Sequence, residues 1–290
     1  MFPSFIRYSS TPNKLPRIAE TLKQAAKPAL QHSLSVSKPF GLSEPTLLNP
    51  LNGNSSYDLG SIKDQLFSSD AKERRQKELD HDIAHSPFYE SKSFENVGGK
   101  IFTPPISFFK RDKSKYFPNF LGDTLIGKNE NFGKLLEGKV NIVRIYSTIS
   151  GDNVSRTYFQ SQTGDKSNYL EGSGYEEFKK LHPNTQIIDL NMPQTAVKRF
   201  FVNISKGSLK KMIPQERHDD YFILPYKLFP LQVRQELNCD NVCSGYIYLL
   251  DQEGRIRWAT SGSANEAEYS LMWKCVSGLE RELKALQDKK

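Results

Sequence analysis

The chain has 290 residues and a formal net charge of +7, and its length suffices for one or two ordinary domains. The first 43 residues hold six cations and one anion, so they supply +5 of that charge and the rest of the chain carries +2. A nucleic-acid-binding protein is expected to carry its positive excess on the folded surface, so this distribution argues against nucleic acid as a partner.

Residues 1–37 are rich in Ser, Ala, Lys and Arg and poor in acidic residues, which is typical of a mitochondrial presequence. The step from Arg7 to Ser10 is a candidate site for the processing peptidase. A later cleavage and a merely disordered basic tail are the open alternatives. No stretch of the sequence approaches the roughly 18 apolar residues that a membrane-spanning helix needs, so we predict that any membrane contact is peripheral.

Residues 38–60 are rich in Pro, Gly, Asn and Ser and are predicted to be a linker. Residues 61–85 lack Gly and Pro and predict a solvated helix with intrahelical ion pairs, or alternatively a partner-binding helix. Residues 86–120 are rich in Pro and aromatic side chains and are predicted to lie extended against a domain. The predicted organisation is a presequence (1–37), a linker (38–60), a helical and extended N-terminal extension (61–115) and one folded domain (116–290).

Two apolar segments, 139–146 (KVNIVRIY) and 185–190 (TQIIDL), predict core strands covered on both faces. In a redox thioredoxin the nucleophilic cysteine lies between the first core strand and the next helix, where the helix dipole lowers the pKa of the thiol. The corresponding junction here, residues 147–152, contains no cysteine, and the helix is predicted over about 153–160. The missing thiol argues against dithiol and peroxide chemistry.

A basic helix is predicted after the second core strand, opened by Pro193. Its apolar residues Val197, Phe201 and Ile204 are spaced at i, i+4 and i+7, which favours a helix packed on the sheet with a solvated basic edge. The alternative is an edge that contacts anionic lipid headgroups. The candidate lipid-facing residues are Lys198, Arg199, Lys210 and Lys211. Residues 221–238 are apolar and interrupted by Pro, and they predict either a bridge to the next strand or an exposed hydrophobic groove.

The segment 245–262 (GYIYLLDQEGRIRWATSG) predicts a buried strand, a tight turn and a returning strand. Alternation places Ile256 and Trp258 on one face of the returning strand and Arg255 and Arg257 on the other. A capping box at 263–266 (SANE) opens the last helix, whose apolar stripe includes Cys275 as a small buried hydrophobe. This order of elements predicts an α/β fold, a thioredoxin-like mixed sheet flanked by helices, with the N-terminal helical and extended extension.

The chain resembles the mitochondrial ATPase complex assembly factor Ten family. The resemblance is carried by 116–125 (YFPNFLGDTL), 139–148 (KVNIVRIYST) and above all 245–262, with Glu268 and the helix around it. It implies a thioredoxin-like protein without redox cysteines, peripheral on the matrix side of the mitochondrial inner membrane. It further implies a chaperone, without catalysis or a cofactor, that engages newly synthesised subunit 6 (subunit a) and other membrane-sector subunits of ATP synthase and promotes the incorporation of subunit 6.

We expect four residues to form part of the contact surface for this partner, because a basic strand face suits acidic or headgroup partners. They are Arg255, Arg257, Trp258 and Glu268. The competing interpretation is structural, with Trp258 as a core anchor and the arginines solvated or paired with Glu268.

Cys239 and Cys243 have the C-x3-C spacing of thioredoxin-fold copper chaperones, and two thiolates so spaced can bind Cu(I). Those proteins place the pair after the first core strand, whereas here it precedes a late strand, and the nearest histidine, His218, lies in a charged loop. The total of three cysteines is odd, which argues against a disulfide scaffold. A copper-binding or thiol-redox assembly protein that uses this pair is one alternative function, and a structural subunit of a respiratory complex is another.

Overall fold

A computed structural model describes residues 28–46, 69–84, 87–161 and 167–288. Residues 1–27 of the predicted presequence and 47–60 of the predicted linker lie outside the described residues, as do 61–68 of the predicted helix. Within the described ranges, no helix combines the length and the apolar composition that crossing a bilayer requires.

A seven-stranded mixed sheet forms the centre of the domain, and a two-stranded sheet lies beside it. The strands are β1 (Leu34–Ser35), β2 (Phe102–Thr103), β3 (Leu121–Thr124), β4 (Glu130–Asn131), β5 (Val140–Tyr146), β6 (Thr185–Asn191), β7 (Tyr221–Ile223), β8 (Gly245–Leu250) and β9 (Ile256–Ser261). The order in the large sheet is β4-β3-β7-β6-β5-β8-β9, and β1 pairs with β2 in the small one. Strands β5, β6 and β7 are parallel, whereas β8 is antiparallel to β5 and to β9.

Helices cover both faces of the large sheet. Those in the described ranges are α1 (Ser69–Ala84), α2 (Pro87–Asn96), α3 (Phe132–Leu135), α4 (Ile149–Arg156), α5 (Gly172–Leu181), α6 (Ala196–Ile204), α7 (Lys206–Met212), α8 (Leu231–Glu236) and α9 (Glu266–Gln287). Every residue of β5 and nearly every residue of β6 is buried, as expected for parallel strands covered on two sides. The parallel pair β5–β6, the antiparallel hairpin β8–β9 and the terminal helix α9 give the thioredoxin-like topology that the sequence predicts.

The N-terminal segment 28–46 packs on the domain. The backbone N–H of Leu34 donates to the carbonyl of Ile101 at 2.9 Å, and β1 runs parallel to β2. The ring of Phe40 lies 5.9 Å from that of Phe102 and 6.3 Å from that of Tyr248. The boundary predicted between presequence and linker at residue 37 therefore falls inside a packed segment.

Contacts distant in sequence decide the conformation of two segments. Residues 87–96, predicted to be extended, form helix α2, and the chain becomes extended only after it. Residues 221–238 lead to β8, as one of the two predicted alternatives has it: β7 lies between β3 and β6, and Phe222 and Leu224 are fully buried in the core. Residues of the segment 230–236 also line an open pocket, which they share with Leu42 and Lys77. In helix α1, an ion pair at 2.7 Å between Glu73 and Lys77 shows the intrahelical pairing that the sequence predicts.

Two helix starts are shifted from the predicted positions because of the residue that caps them. Helix α4 begins at Ile149, about four residues early, since the side chain of Thr148 accepts a hydrogen bond from the N–H of Gly151 at 3.1 Å. Helix α9 begins after Asn265, whose side chain accepts from the N–H of Glu268 at 2.9 Å. Both are N-caps that satisfy an otherwise unpaired backbone donor.

The prediction that Ile256 and Trp258 share a face of β9 is wrong. Leu250 pairs with Ile256 whereas Leu249 pairs with Trp258, so the register shifts by one residue at a β-bulge. A bulge places two residues opposite one and reverses the alternation of faces. Ile256 therefore packs in the core cluster on one side of the sheet, and Trp258 packs in the cluster under helix α9.

Candidate functional site

The junction between β5 and α4, where a redox thioredoxin carries its nucleophile, is closed here by hydrogen bonds. The hydroxyl of Ser150 donates to the carbonyl oxygen of Cys243 at 2.9 Å, and that of Thr148 donates to the carbonyl of Val242 at 3.2 Å. These bonds join the start of α4 to the loop that precedes β8. A serine and a threonine therefore hold the junction in place, and no thiolate is available there.

The three cysteines lie outside residues 147–152, and burial raises the pKa of each thiol. The pKa of the buried Cys239 thiol rises to about 12 and that of Cys275 to about 11. Burial also raises the pKa of the half-buried Cys243 thiol. A nucleophilic or metal-binding cysteine needs the opposite shift. No group of three or more His, Cys, Asp or Glu side chains suited to a metal ion occurs in the described ranges.

A buried ion network lies at the same edge of the sheet. Arg144 of β5 pairs with Asp189 of β6 at 3.3 Å and with Asp152 of α4, and Arg217 also pairs with Asp189. Burial lowers the pKa of the Arg144 guanidinium, but the carboxylates of Asp189 and Asp152 outweigh it and raise the pKa above its ordinary value. The charges are matched inside the network, which therefore fixes the ends of β5 and β6 relative to α4.

Helix α6 follows β6 at this edge and turns an apolar face to the solvent. The side chains of Val197, Phe200, Phe201 and Ile204 are between 61% and 65% exposed. They stand at i, i+3, i+4 and i+7, the positions with which a helix normally covers a core. The prediction that this stripe packs on the sheet is wrong.

The opposite side of the helix pair attaches it to the domain. Val202, Leu209 and Ile213 pack against the small cluster formed by Leu125, Tyr221 and Ile223. Because this attachment uses the other side of α6, the apolar stripe of that helix stays outside. Met212 at the end of α7 is also exposed.

The same helix pair is strongly basic. Its five cations are Lys198, Arg199, Lys206, Lys210 and Lys211, and no acidic residue occurs between Asp189 and Glu216. The charge of Lys198 lowers the pKa of the Cys243 thiol against the larger effect of burial. The ammonium of Lys206 donates to the carbonyl of Thr124 at 3.2 Å, on the side that faces the domain. We call the exposed apolar stripe, Met212 and the other four cations the α6–α7 surface.

A family model described as ATP10 protein matches residues 20–279. The chain belongs to the ATP10 family. It is 33% identical over 268 residues to the "Mitochondrial ATPase complex subunit ATP10" of Saccharomyces cerevisiae, which covers 91% of this chain and 94% of that relative. It is 34% identical over 248 residues to the protein of the same name from Candida glabrata, which covers 85% of each chain.

Among solved structures, the ATP10-family chain is similar to a DsbF homologue from Corynebacterium diphtheriae, with a TM-score of 0.39 and 11% identity over 61% of this chain and 93% of that one. It is also similar to a putative thiol:disulfide interchange protein DsbE from Chlorobium tepidum, with a TM-score of 0.38 and 11% identity over 57% and 96% of the two chains. Likeness at this distance says nothing about activity.

Two of the four predicted contact residues of this ATP10-family chain lie inside the domain. Trp258 is fully buried, and its indole N–H donates to the carbonyl of Pro105 at 3.1 Å. Arg257 is 1% exposed and makes two hydrogen bonds to the carboxylate of Glu282, at 2.7 Å and 2.8 Å. Strand β9 therefore does not present Arg257 on an exposed basic face, as the sequence predicted, because the bulge turns this side chain toward helix α9.

The other two residues are engaged within the chain. The guanidinium of Arg255 pairs with Glu253 at 3.0 Å and lies 4.9 Å from the ring centre of Tyr116. The carboxylate of Glu268 pairs with Lys100 and not with an arginine. A partner contact through any of the four residues stays a prediction. The sequence signal that marks the α6–α7 surface is the acid-free interval around α6.

Proposed function

We propose that this chain is an assembly factor for the membrane sector of mitochondrial ATP synthase and acts without catalysis. It engages newly synthesised subunit 6 (subunit a) and promotes the incorporation of that subunit. The observation that carries the proposal is the closed junction between β5 and α4, where Thr148 and Ser150 bind backbone carbonyls in place of a thiolate. Membership of the ATP10 family, with relatives named for the mitochondrial ATPase complex, supports the link to that complex.

The physical task of such a factor follows from the chemistry of membrane subunits. A polytopic subunit with ionisable groups inside the bilayer leaves them unmatched until its partner helices arrive. A protein held at the membrane surface can cover those groups for the interval between synthesis and assembly. We propose that the chain does so on the matrix side of the inner membrane as a peripheral protein.

The client contact is testable by photo-crosslinking during mitochondrial translation. The predicted contact residue Arg257 is buried and cannot carry a surface probe. We therefore place the photo-crosslinking probe at Ile149, which is 80% exposed at the start of α4, in the closed junction. Position 88 in α2 is 79% exposed and serves as the matched control. We expect a labelled adduct with subunit 6 from position 149 that disappears during a chase. Stoichiometric recovery of the chain with mature ATP synthase would instead identify a structural subunit and overturn the proposal.

The absence of thiol chemistry is testable with a cysteine-free variant. Substituting Cys239, Cys243 and Cys275 together is expected to leave ATP synthase assembly at the wild-type level, because no cysteine lies within residues 147–152 and burial raises the pKa of every thiol. Assembly is measured by native electrophoresis of the complex, and circular dichroism checks the fold. Lost assembly with a preserved fold would favour the thiol-redox or copper-binding alternative.

We also propose that the presequence is removed upstream of residue 28. Segment 28–46 supplies β1 and places Phe40 against the aromatic core, so a cut at residue 37 would remove packed backbone. Sequencing the N-terminus of the mature protein tests this proposal, and a mature start beyond residue 28 would contradict it.

A further inference from the structure

We infer that the α6–α7 surface binds the anionic surface of a phospholipid bilayer, with α6 lying in the plane of the membrane. This inference rests on the proposed function only for the identity of the membrane, the mitochondrial inner membrane. The binding itself concerns this chain and lipid alone.

The first support is the direction of the apolar stripe. Phe200 and Phe201 are each 61% exposed, with ring centroids 6.0 Å apart, and Val197 and Ile204 extend the stripe by a turn on either side. In-plane membrane helices bury such a stripe at the boundary between headgroups and acyl chains. Transfer of one large apolar side chain out of water increases affinity about tenfold or more.

The second support is charge. Five cations and no acidic residue lie between Asp189 and Glu216. In the ranges that the structure describes, no carboxylate forms a salt bridge with Lys198, Arg199, Lys210 or Lys211. Each lysine or arginine near an anionic bilayer contributes about fivefold in binding. Long basic side chains at the border of a buried stripe also keep their charges at headgroup level.

Charge also decides against the other occupants of this face. A second copy of the chain would bring the same four cations against these four, and like charges repel at short range. An apolar client segment would match the stripe but would leave the cations without a counterpart. An anionic bilayer satisfies the apolar and the basic residues together.

Flotation with vesicles tests the inference on the full-length protein. The probes are vesicles of phosphatidylcholine alone and vesicles of phosphatidylcholine with phosphatidylglycerol. We expect binding to the anionic vesicles and weak binding to the neutral ones. The double variant Phe200→Ser/Phe201→Ser and the double variant Lys210→Gln/Lys211→Gln should each lower the partition coefficient at least tenfold.

Matched controls lie elsewhere on the surface. Phe88→Ser removes an aromatic ring that is even more exposed, at 79%, and Lys274→Gln/Lys284→Gln removes two exposed lysines from α9. Both controls are expected to bind vesicles like the wild type. Because Phe200 and Phe201 are exposed, their variant should keep the wild-type thermal midpoint, which separates lost binding from lost folding.

Three outcomes would overturn the inference. Wild-type protein that does not float with anionic vesicles is the first. Surface variants that float like the wild type but lose the crosslink to subunit 6 would make the surface a client site. A wild-type dimer in solution that becomes a monomer in the Phe200→Ser/Phe201→Ser variant, with unchanged flotation, would make it a self-association site. If flotation fails while the subunit 6 adduct persists, the proposed function stands without this inference.

Discussion

Glu268 lies where three parts of the fold meet, and its removal should destabilise the domain. Its carboxylate oxygen Oε2 accepts hydrogen bonds from the ammonium of Lys100 at 2.5 Å and from the hydroxyl of Tyr158 at 2.9 Å. That hydroxyl lies 3.0 Å from the Oγ1 of Thr260. The network thus ties helix α9 to the segment before β2, to the turn after α4 and to strand β9.

The expected magnitude follows from burial. The side chains of Lys100 and Glu268 are 14% and 11% exposed. Removing one member of a buried ion pair costs about 3–5 kcal/mol, because the other charge stays buried without a partner. Because both side chains keep some contact with water, we expect the Glu268→Ala substitution to cost about 3 kcal/mol, at the lower end of this range. For a domain of this size that corresponds to a fall in Tm of roughly 6–12 °C.

Urea unfolding followed by circular dichroism measures the change, and a double-mutant cycle identifies its source. Lys100→Met alone should destabilise the domain by a similar amount, and Lys100→Met/Glu268→Leu should cost clearly less than the sum of the single variants. Glu268→Gln serves as the conservative control, since it keeps an acceptor for Tyr158. An unchanged unfolding midpoint in Glu268→Ala would refute this reasoning and would return Glu268 to the role of a partner contact.

Further predictions concern buried groups. Burial raises the pKa of Asp220 from 3.8 to about 6, so the stabilisation from its protonated form is lost as pH rises through about 6. At pH 8 the free energy of unfolding of Asp220→Asn should exceed that of the wild type by up to about 3 kcal/mol. This difference should shrink towards pH 4, and a difference that does not depend on pH would contradict the prediction. Trp258→Ala should cost about 3–5 kcal/mol in urea unfolding, whereas an unchanged midpoint would place the ring outside the core. A thiol reagent should label only Cys243 in the native protein, because Cys239 and Cys275 are buried. Labelling of either buried thiol in the native protein would contradict this prediction.

Local residue patterns were enough to predict the centre of the fold. Strands β5, β6 and β8 each contain a run of apolar residues on both faces, a pattern that is typical of a strand covered on both sides. The last helix follows in the same way from its apolar stripe, in which Met272, Val276 and Leu279 are all buried. The thiol-free junction at 147–152 was likewise visible in the sequence, since the absence of cysteine needs no coordinates.

The tertiary structure alone decided which way side chains face. An amphipathic pattern fixes that α6 has an apolar stripe but not whether the stripe meets the core or the solvent, and Val202 on the other side makes the attachment. The bulge in β9 reverses the faces of Ile256 and Trp258 through a pairing with Leu249 and Leu250 that no local signal records. Arg257 is buried because Glu282, 25 residues away, supplies its counter-charge. Local patterns encode periodicity, whereas burial depends on contacts between segments distant in the chain.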